Sequence, residues 1–205
     1  AYDSIQRYVK HWKEKHRLAQ SKAFIPLEFD PGDAMQFDWS LEHVVIGGVS
    51  QTVKVAHFRL SYSRKPFIVA FPREQIEMVL EAHNYAFAYY GGVSKRIIYD
   101  NPKTMVVRIG TGKDRDFHPR FLALMNHYLV NPVACTPASG WEKGQVENQV
   151  NVLRNQLFKP QLRFKSFTDL NSHLLACCQT LGNKAHPQFK DKGIDEVFNQ
   201  ERHAL

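Results

Sequence analysis

Residues 34–48 read AMQFDWSLEHVVIGG. The stretch is first alternating and then continuously apolar, and it ends in Gly47-Gly48, which predicts a β-strand closing in a tight turn. Asp38 interrupts it. A carboxylate between Phe37 and Trp39, in an otherwise apolar strand, is costly unless it is paired or holds a cation.

Outward from that strand, QTVKVAHFRLSYS (51–63) alternates with period two, and KPFIVAFPR (65–73) is a short apolar run bounded by Pro72. Three sequential strands joined by short turns predict an antiparallel meander. In REQIEMVLEAHNYAFAYYGG (73–92), Ile76, Val79, Leu80, Ala86 and Tyr90 lie broadly on one helical face, and Gly91-Gly92 supplies the stop. SKRIIYDN (94–101) predicts a fourth strand, HPRFLALMNHYLV (118–130) a helix and NPVACTPAS (131–139) a fifth strand. Helices follow at GWEKGQVENQVNVLRNQLF (140–158), SFTDLNSHLLACCQTLGNKA (166–185) and GIDEVFNQERHAL (193–205), with Asp195 the expected cap of the last. The order is α/β, with a mixed five-stranded sheet flanked by helices, and it is the order of an RNase H-like core.

Three acids sit where such a sheet would bring them together: Asp38 in the first strand, Asp100 at the end of the fourth, and Glu147 in the helix after the fifth. Each also has a plainer role open to it. Asp38 would suit a buried arginine, Asp100 belongs to an Asp-Asn-Pro turn, and Glu147 is an i, i+4 partner of Lys143. Hard oxygen donors on separate elements, with no His or Cys nearby in sequence, suit Mg²⁺ or Mn²⁺ better than zinc. Two such ions held by three carboxylates can activate a water or a 3′ hydroxyl and stabilise the leaving oxygen of an in-line phosphoryl transfer.

The helix at 140–158 carries Val146, Val150, Leu153 and Leu157 as a narrow apolar stripe, with Glu147 immediately beside it. Lys143, Asn151 and Arg154 share that flank. Lys143 and Arg154 are candidates for phosphate contact, and Gln145, Asn148 and Asn151 for phosphate, sugar or base edges.

Composition fits a polyanionic partner. The 205 residues hold 27 Lys plus Arg against 20 Asp plus Glu, a formal charge of +7, so the summed field favours nucleic acid. The first 25 residues read as a basic helical arm, with Ser4 as N-cap and Arg7, Lys10, Lys13, Lys15, Arg17 and Lys22 around Ile5, Val9 and Trp12. Lys103, just past Asp100, suits either a phosphate contact or a solvated turn, and the loop VRIGTGKDRDFHPR (107–120), with Arg108, Lys113, Arg115 and Arg120, suits either a mobile DNA-contacting segment or a plain exposed basic loop. Asp114 and Asp116 in that loop are poorly placed to compete for metal. Its Gly-Thr-Gly-Lys lacks the spacing of a phosphate loop. Trp39 suits the core better than a stacked base. Three cysteines, two of them adjacent, build neither a disulfide framework nor a zinc site, and no apolar run approaches 18 residues. A reducing, cytosolic compartment follows, with no membrane partner.

The set QFDWS, YDNPKTMV and ACTPASGWEKGQVENQVNVLRNQLF resembles the catalytic domain of DDE transposases and retroviral-type integrases, most closely the insertion-sequence 21 family. The resemblance runs from about Ile25 to the C-terminus. It implies that Asp38, Asp100 and Glu147 form a metal-binding catalytic triad that nicks transposon ends and transfers the freed 3′ hydroxyl into target DNA. An RNase H-like nuclease that never joins, or a non-catalytic DNA-binding module, are the alternatives. The resemblance further implies double-stranded DNA as partner, homo-oligomers that synapse two ends, an AAA+ ATPase helper, and a cytoplasmic, nucleoid-associated location. The expected organisation is a basic arm at 1–25, a catalytic core at 26–160 and a helical extension at 161–205. Members of the family usually carry an N-terminal helix-turn-helix region and a further C-terminal domain, so this sequence is expected to be part of a longer protein.

Overall fold

Gly47 and Gly48 take φ of 60° and 82°, a left-handed pair that glycine adopts without steric cost and that matches the twist of a two-residue hairpin. They join β1 (Ala34–Ile46) to β2 (Val49–Leu60) in an antiparallel ladder running from Ile46↔Val49 to Met35↔Leu60. β3 (Pro66–Phe71) pairs antiparallel with β2 and completes the expected meander. The computed structural model describes Ile5, Gln6, Tyr8 and the spans 28–100, 104–109, 115–135 and 153–205. Of the basic arm, those first three residues are helical and exposed, and Ser4 and its lysines and arginines lie outside the described residues.

The chain leaves β3 through α1 (Ile76–Tyr90), which stops at Gly91 with φ 75° and its N–H donated to the Phe87 carbonyl. It returns as β4 (Arg96–Tyr99), parallel to β1 on the edge away from β2. After α2 (Pro119–His127), β7 (Asn131–Ala134) lies parallel to β4, giving the order β3-β2-β1-β4-β7. Helical crossovers thus produce the parallel half of a mixed sheet.

Three local differences from the sequence expectation have simple causes. Arg163–Phe164 forms a sixth strand, β8, parallel to the end of β1, and two residues are too few to show a period. The segment read as a basic loop contains a separate hairpin of β5 (Val106–Ile109) and β6 (Arg115–Phe117), again strands of four and three residues. Asp195 does not cap the last helix. The N-cap of α4 (Ile194–Glu201) is Gly193 without a side-chain bond, because the Asp195 carboxylate accepts from the ammonium of buried Lys65 instead.

Alternation divides the sheet into two faces. Met35, Phe37, Ala56, Phe58, Leu60, Phe67, Val69, Ile97 and Tyr99 face α1 and α2, where Val79, Ala82, Ala86, Tyr90, Phe121 and Met125 meet them. On the opposite face Val44, Val53, Val55, Ile68 and Ala70 pack against Leu153, Phe158 and α3 (Phe167–Gly182), through Leu170, Leu174, Cys178 and Leu181. Residues after 160 therefore cover one end of the sheet's second face.

Candidate active site

The β1–β4 register determines which acids meet. Ala34, Met35, Gln36 and Phe37 pair in parallel with Arg96, Ile97, Ile98 and Tyr99. Asp38 and Asp100 come next on the two strands, and both are half-buried. Neighbouring strands lie about 4.8 Å apart, so the two backbones are adjacent at this level. Because Phe37 belongs to the aromatic layer, alternation gives Asp38 the other face.

That face of β1 is polar at every second position: Gln36, Asp38, Ser40 and Glu42 precede Val44 and Ile46. Gln36, Ser40 and Glu42 are nonetheless buried. His57, also buried, is the direct cross-strand partner of Asp38. Its Nε2 lies 2.8 Å from Ser40 Oγ. Burial first, and the positive charge of Arg154 second, depress the imidazole to about 3, so it is neutral at physiological pH. Asp38 Oδ1 accepts from the Trp39 backbone N–H at 2.8 Å. The Trp39 ring packs edge-on against Phe37 and Phe71, at 5.6 and 6.1 Å, which makes it part of the core.

Below this strip, Arg154 reaches β1 from a helical stretch at 153–157. Its Nε donates to Glu42 Oε1 at 2.5 Å and its Nη2 to the Leu41 carbonyl at 3.1 Å. Leu153 is buried in the second core beside it, and Leu157 packs against that core, as the apolar stripe requires. Val146 and Val150, the stripe's other members, lie outside the described residues.

The remaining site candidates divide in the same way. Arg108 is exposed and paired with Asp116, Nε to Oδ2 at 2.5 Å. That bond holds the Asp116 carboxyl below its usual range. Arg115 Nη2 donates to the Cys135 carbonyl at 3.2 Å, while the Cys135 N–H donates to Tyr99 O at 2.9 Å. The guanidinium thus stands at the carboxyl end of β7, beside β4. Thr104 donates to Glu74 Oε1 at 3.0 Å, and Lys54 to Glu74 Oε2 at 2.9 Å, which ties the segment after Asp100 to the β2 side of the sheet. Glu147, Lys103, Lys113, Lys143, Gln145, Asn148 and Asn151 lie outside the described residues, as does Asp114. Among the described residues no group of three or more His, Cys, Asp or Glu gathers as a metal site; Asp38 and Asp100 supply two acids at one level.

His57, Ser40 and Glu42 were not singled out from the sequence. The signal for Ser40 and Glu42 was present in the period-two polarity of residues 36–42. His57 becomes visible only once the β1–β2 register is known.

No family model matches the chain. It is 40% identical over 210 residues to a transposase of Aminobacter aminovorans, a match covering all of this chain and 41% of that protein. It is 33% identical to the transposase for insertion sequence element IS21 of Pseudomonas aeruginosa, over 98% of this chain and 51% of that protein. The chain thus spans about half the length of these relatives, or less. Among solved structures it resembles a chain of the simian T-cell lymphotropic virus intasome in complex with PP2A regulatory subunit B56 gamma. There the TM-score is 0.64 at 15% identity, covering 85% of this chain and 56% of that one. It also resembles the HTLV-2 integrase catalytic core domain in complex with magnesium, with a TM-score of 0.50 at 13% identity, covering 84% of this chain and 98% of that one. Identities this low speak to the fold alone. By sequence over its whole length, this chain is a homologue of the insertion-sequence transposases, IS21 among them, and its mixed sheet has the RNase H-like fold of the integrase catalytic cores.

Proposed function

We propose that this chain is the catalytic core of a DNA transposase that cleaves at transposon ends and joins the freed 3′ hydroxyl to target DNA. The observation that carries the reading is the β1–β4 register, with Asp38 and Asp100 the next residues after Phe37 and Tyr99. Two hard-oxygen side chains on adjacent strands fit Mg²⁺ or Mn²⁺, and Glu147 is the proposed third ligand. When bound, one or two such ions supply Lewis-acid activation of the attacking hydroxyl and stabilisation of the leaving oxygen.

The chain's own groups set the geometry. Asp38 is fixed within a long central strand, paired on one side to β2 and flanked on the other by β4. Neutral His57 beside it adds no positive charge to compete with a cation. In strand transfer the 3′ oxygen of the transposon end attacks a target phosphorus and a new P–O bond forms. The bond from that phosphorus to the target's own 3′ oxygen breaks, and this oxygen leaves to end as a hydroxyl. Phosphodiester number is conserved, so no external energy source enters the step.

Double-stranded DNA, in keeping with the +7 charge, further copies of the chain, and an AAA+ ATPase helper are the proposed partners, in the cytoplasm and on the nucleoid. No helix among the described residues is long and apolar enough to cross a membrane.

The test is a joining assay with the intact protein, a labelled duplex pre-cut at the end of its own element, and a second target duplex. Metal-dependent covalent linkage of label to target is expected. Hydrolysis of DNA without linkage would assign a nuclease, and binding with neither reaction a non-catalytic module.

A further inference from the structure

The sequence placed Arg154 on the DNA-facing flank of its helix, yet the structure gives its guanidinium an internal task. Glu42 is a carboxylate on the same face of β1 as Asp38, four residues further along, and its side chain is only 8% exposed. A carboxylate so buried needs a partner. Arg154 supplies it through Nε, and at the same time binds the carbonyl of Leu41 through Nη2. Two donors of one planar guanidinium on two successive residues of one strand define both the height and the rotation of the helix against β1. Leu153 and Phe158, on either side in sequence, are buried against Val44, Val53 and Val55 and hold the same contact from its apolar side.

We infer that Glu42 and Arg154 are positioning residues: together they pin this helix to the strand that carries Asp38, and so set where the third acid stands. The inference rests on the proposed catalytic reading. Its logic is helical geometry. Arg154 follows Glu147 by seven residues, and seven residues of α-helix make about two turns, about 10.5 Å of rise with side chains about 20° apart in azimuth. The four residues of β1 between Glu42 and Asp38 span about 13 Å. From Arg154 the chain runs on to Leu162 and Phe164, whose carbonyls accept from Val45 and Gly47 further along β1; the helix expected from the sequence over 140–158 would therefore carry Glu147, itself outside the described residues, to the Asp38 side of Glu42. Arg154 touches neither DNA nor the reacting atoms in this scheme; it acts through Glu147.

A phosphate contact and a positioning pair make opposite forecasts for Glu42. The experiment compares Glu42→Gln, Arg154→Gln, Arg154→Lys and the double Gln variant in the intact protein. It reads the single-turnover joining rate of a pre-cut end duplex, the dissociation constant for that duplex across a salt series, and the melting temperature. The expected result is a rate reduced about tenfold or more in both single Gln variants. Arg154→Lys, which keeps the charge against Glu42, should recover part of that loss. The double variant leaves no unpaired buried charge, so it should stay folded and be no slower than the worse single. The dissociation constant and its salt slope should match the unaltered protein throughout.

The inference is overturned if Arg154→Gln alone weakens binding and lowers the salt slope by about one, which would make Arg154 a phosphate contact. It is equally overturned if the folded double variant joins at the normal rate. Asp38→Asn separates this from the underlying reading: loss of joining there, with normal joining in the Glu42 and Arg154 variants, removes only the pinning pair.

Discussion

Phe37 and Tyr99 form the last pair of the parallel β1–β4 ladder, their rings 5.6 Å apart, and each is followed directly by an aspartate. The aromatic pair sits in the layer under α1 and α2, so the same contact that closes the core fixes the level of the two acids. Core packing and site geometry are thereby coupled at adjacent residues.

A cation held between those acids should stabilise the folded chain by mass action. At Mg²⁺ ten times its dissociation constant the gain is about 1.4 kcal/mol. Thermal unfolding of the intact protein should move upward with added Mg²⁺, and Asp38→Asn or Asp100→Asn should flatten that response. Equal Mg²⁺ shifts in all three proteins would mean that these carboxylates hold no ion.

Phe37 lies among Phe58, His83 and Tyr99 at centroid distances of 4.8, 5.0 and 5.6 Å. Phe37→Ala should cost about 3–5 kcal/mol by loss of transfer energy and an unfilled cavity. Urea unfolding measures it, and a loss under 1 kcal/mol would show that the ring is not held as described.

His83 is buried and stays neutral in the fold. Its Nδ1 is 2.7 Å from the Val79 carbonyl and its Nε2 3.0 Å from Tyr99 Oη, and burial lowers it from 6.5 to about 4. The unfolded chain binds this proton first as pH falls. Stability from this group is therefore complete above about pH 6.5, falls between 6.5 and 4, and is level below; the loss is about 3 kcal/mol. Because His57 is depressed as well, the diagnostic quantity is a difference. His83→Gln should show a shallower fall in stability from pH 7 to 4 than the unaltered protein, and parallel curves would contradict the assignment.

Ser166 caps α3: its Oγ accepts from the Asp169 N–H at 3.1 Å and donates to Asp169 Oδ2 at 2.9 Å. Ser166→Ala should cost about 1 kcal/mol. Chemical denaturation at neutral pH would reveal it, and no change in midpoint would deny the cap.

What the sequence disclosed follows the length scale of each signal. The meander and both crossover helices are long enough to display a period, Gly91 marked its helix end, and the four-residue β4 and β7 were legible as short apolar runs each closed by a proline-bearing turn sequence. β8 and the β5–β6 hairpin are strands of two to four residues, set by pairing with a neighbour rather than by their own pattern. Asp38 was conspicuous because a charge broke an apolar run. Its partner His57 was not, since HFRL within an alternating strand has no distinguishing mark until Asp38↔His57 is known. Glu42 and Arg154 are 112 residues apart, a separation that local periodicity cannot bridge. Asp195 shows the converse error: a good cap residue at a helix start was claimed by a buried lysine 130 residues away.

In the proposed reaction Asp38, Asp100 and Glu147 act together in joining DNA ends. Its most direct measurement is the joining rate of a pre-cut end duplex in Mg²⁺ and in Mn²⁺, for the intact protein and for Asp38→Asn, Asp100→Asn and Glu147→Gln, each checked for DNA binding and folding. All three variants are expected to bind the duplex normally and to join none of it. Joining at the normal rate by folded Asp38→Asn or Glu147→Gln would contradict this.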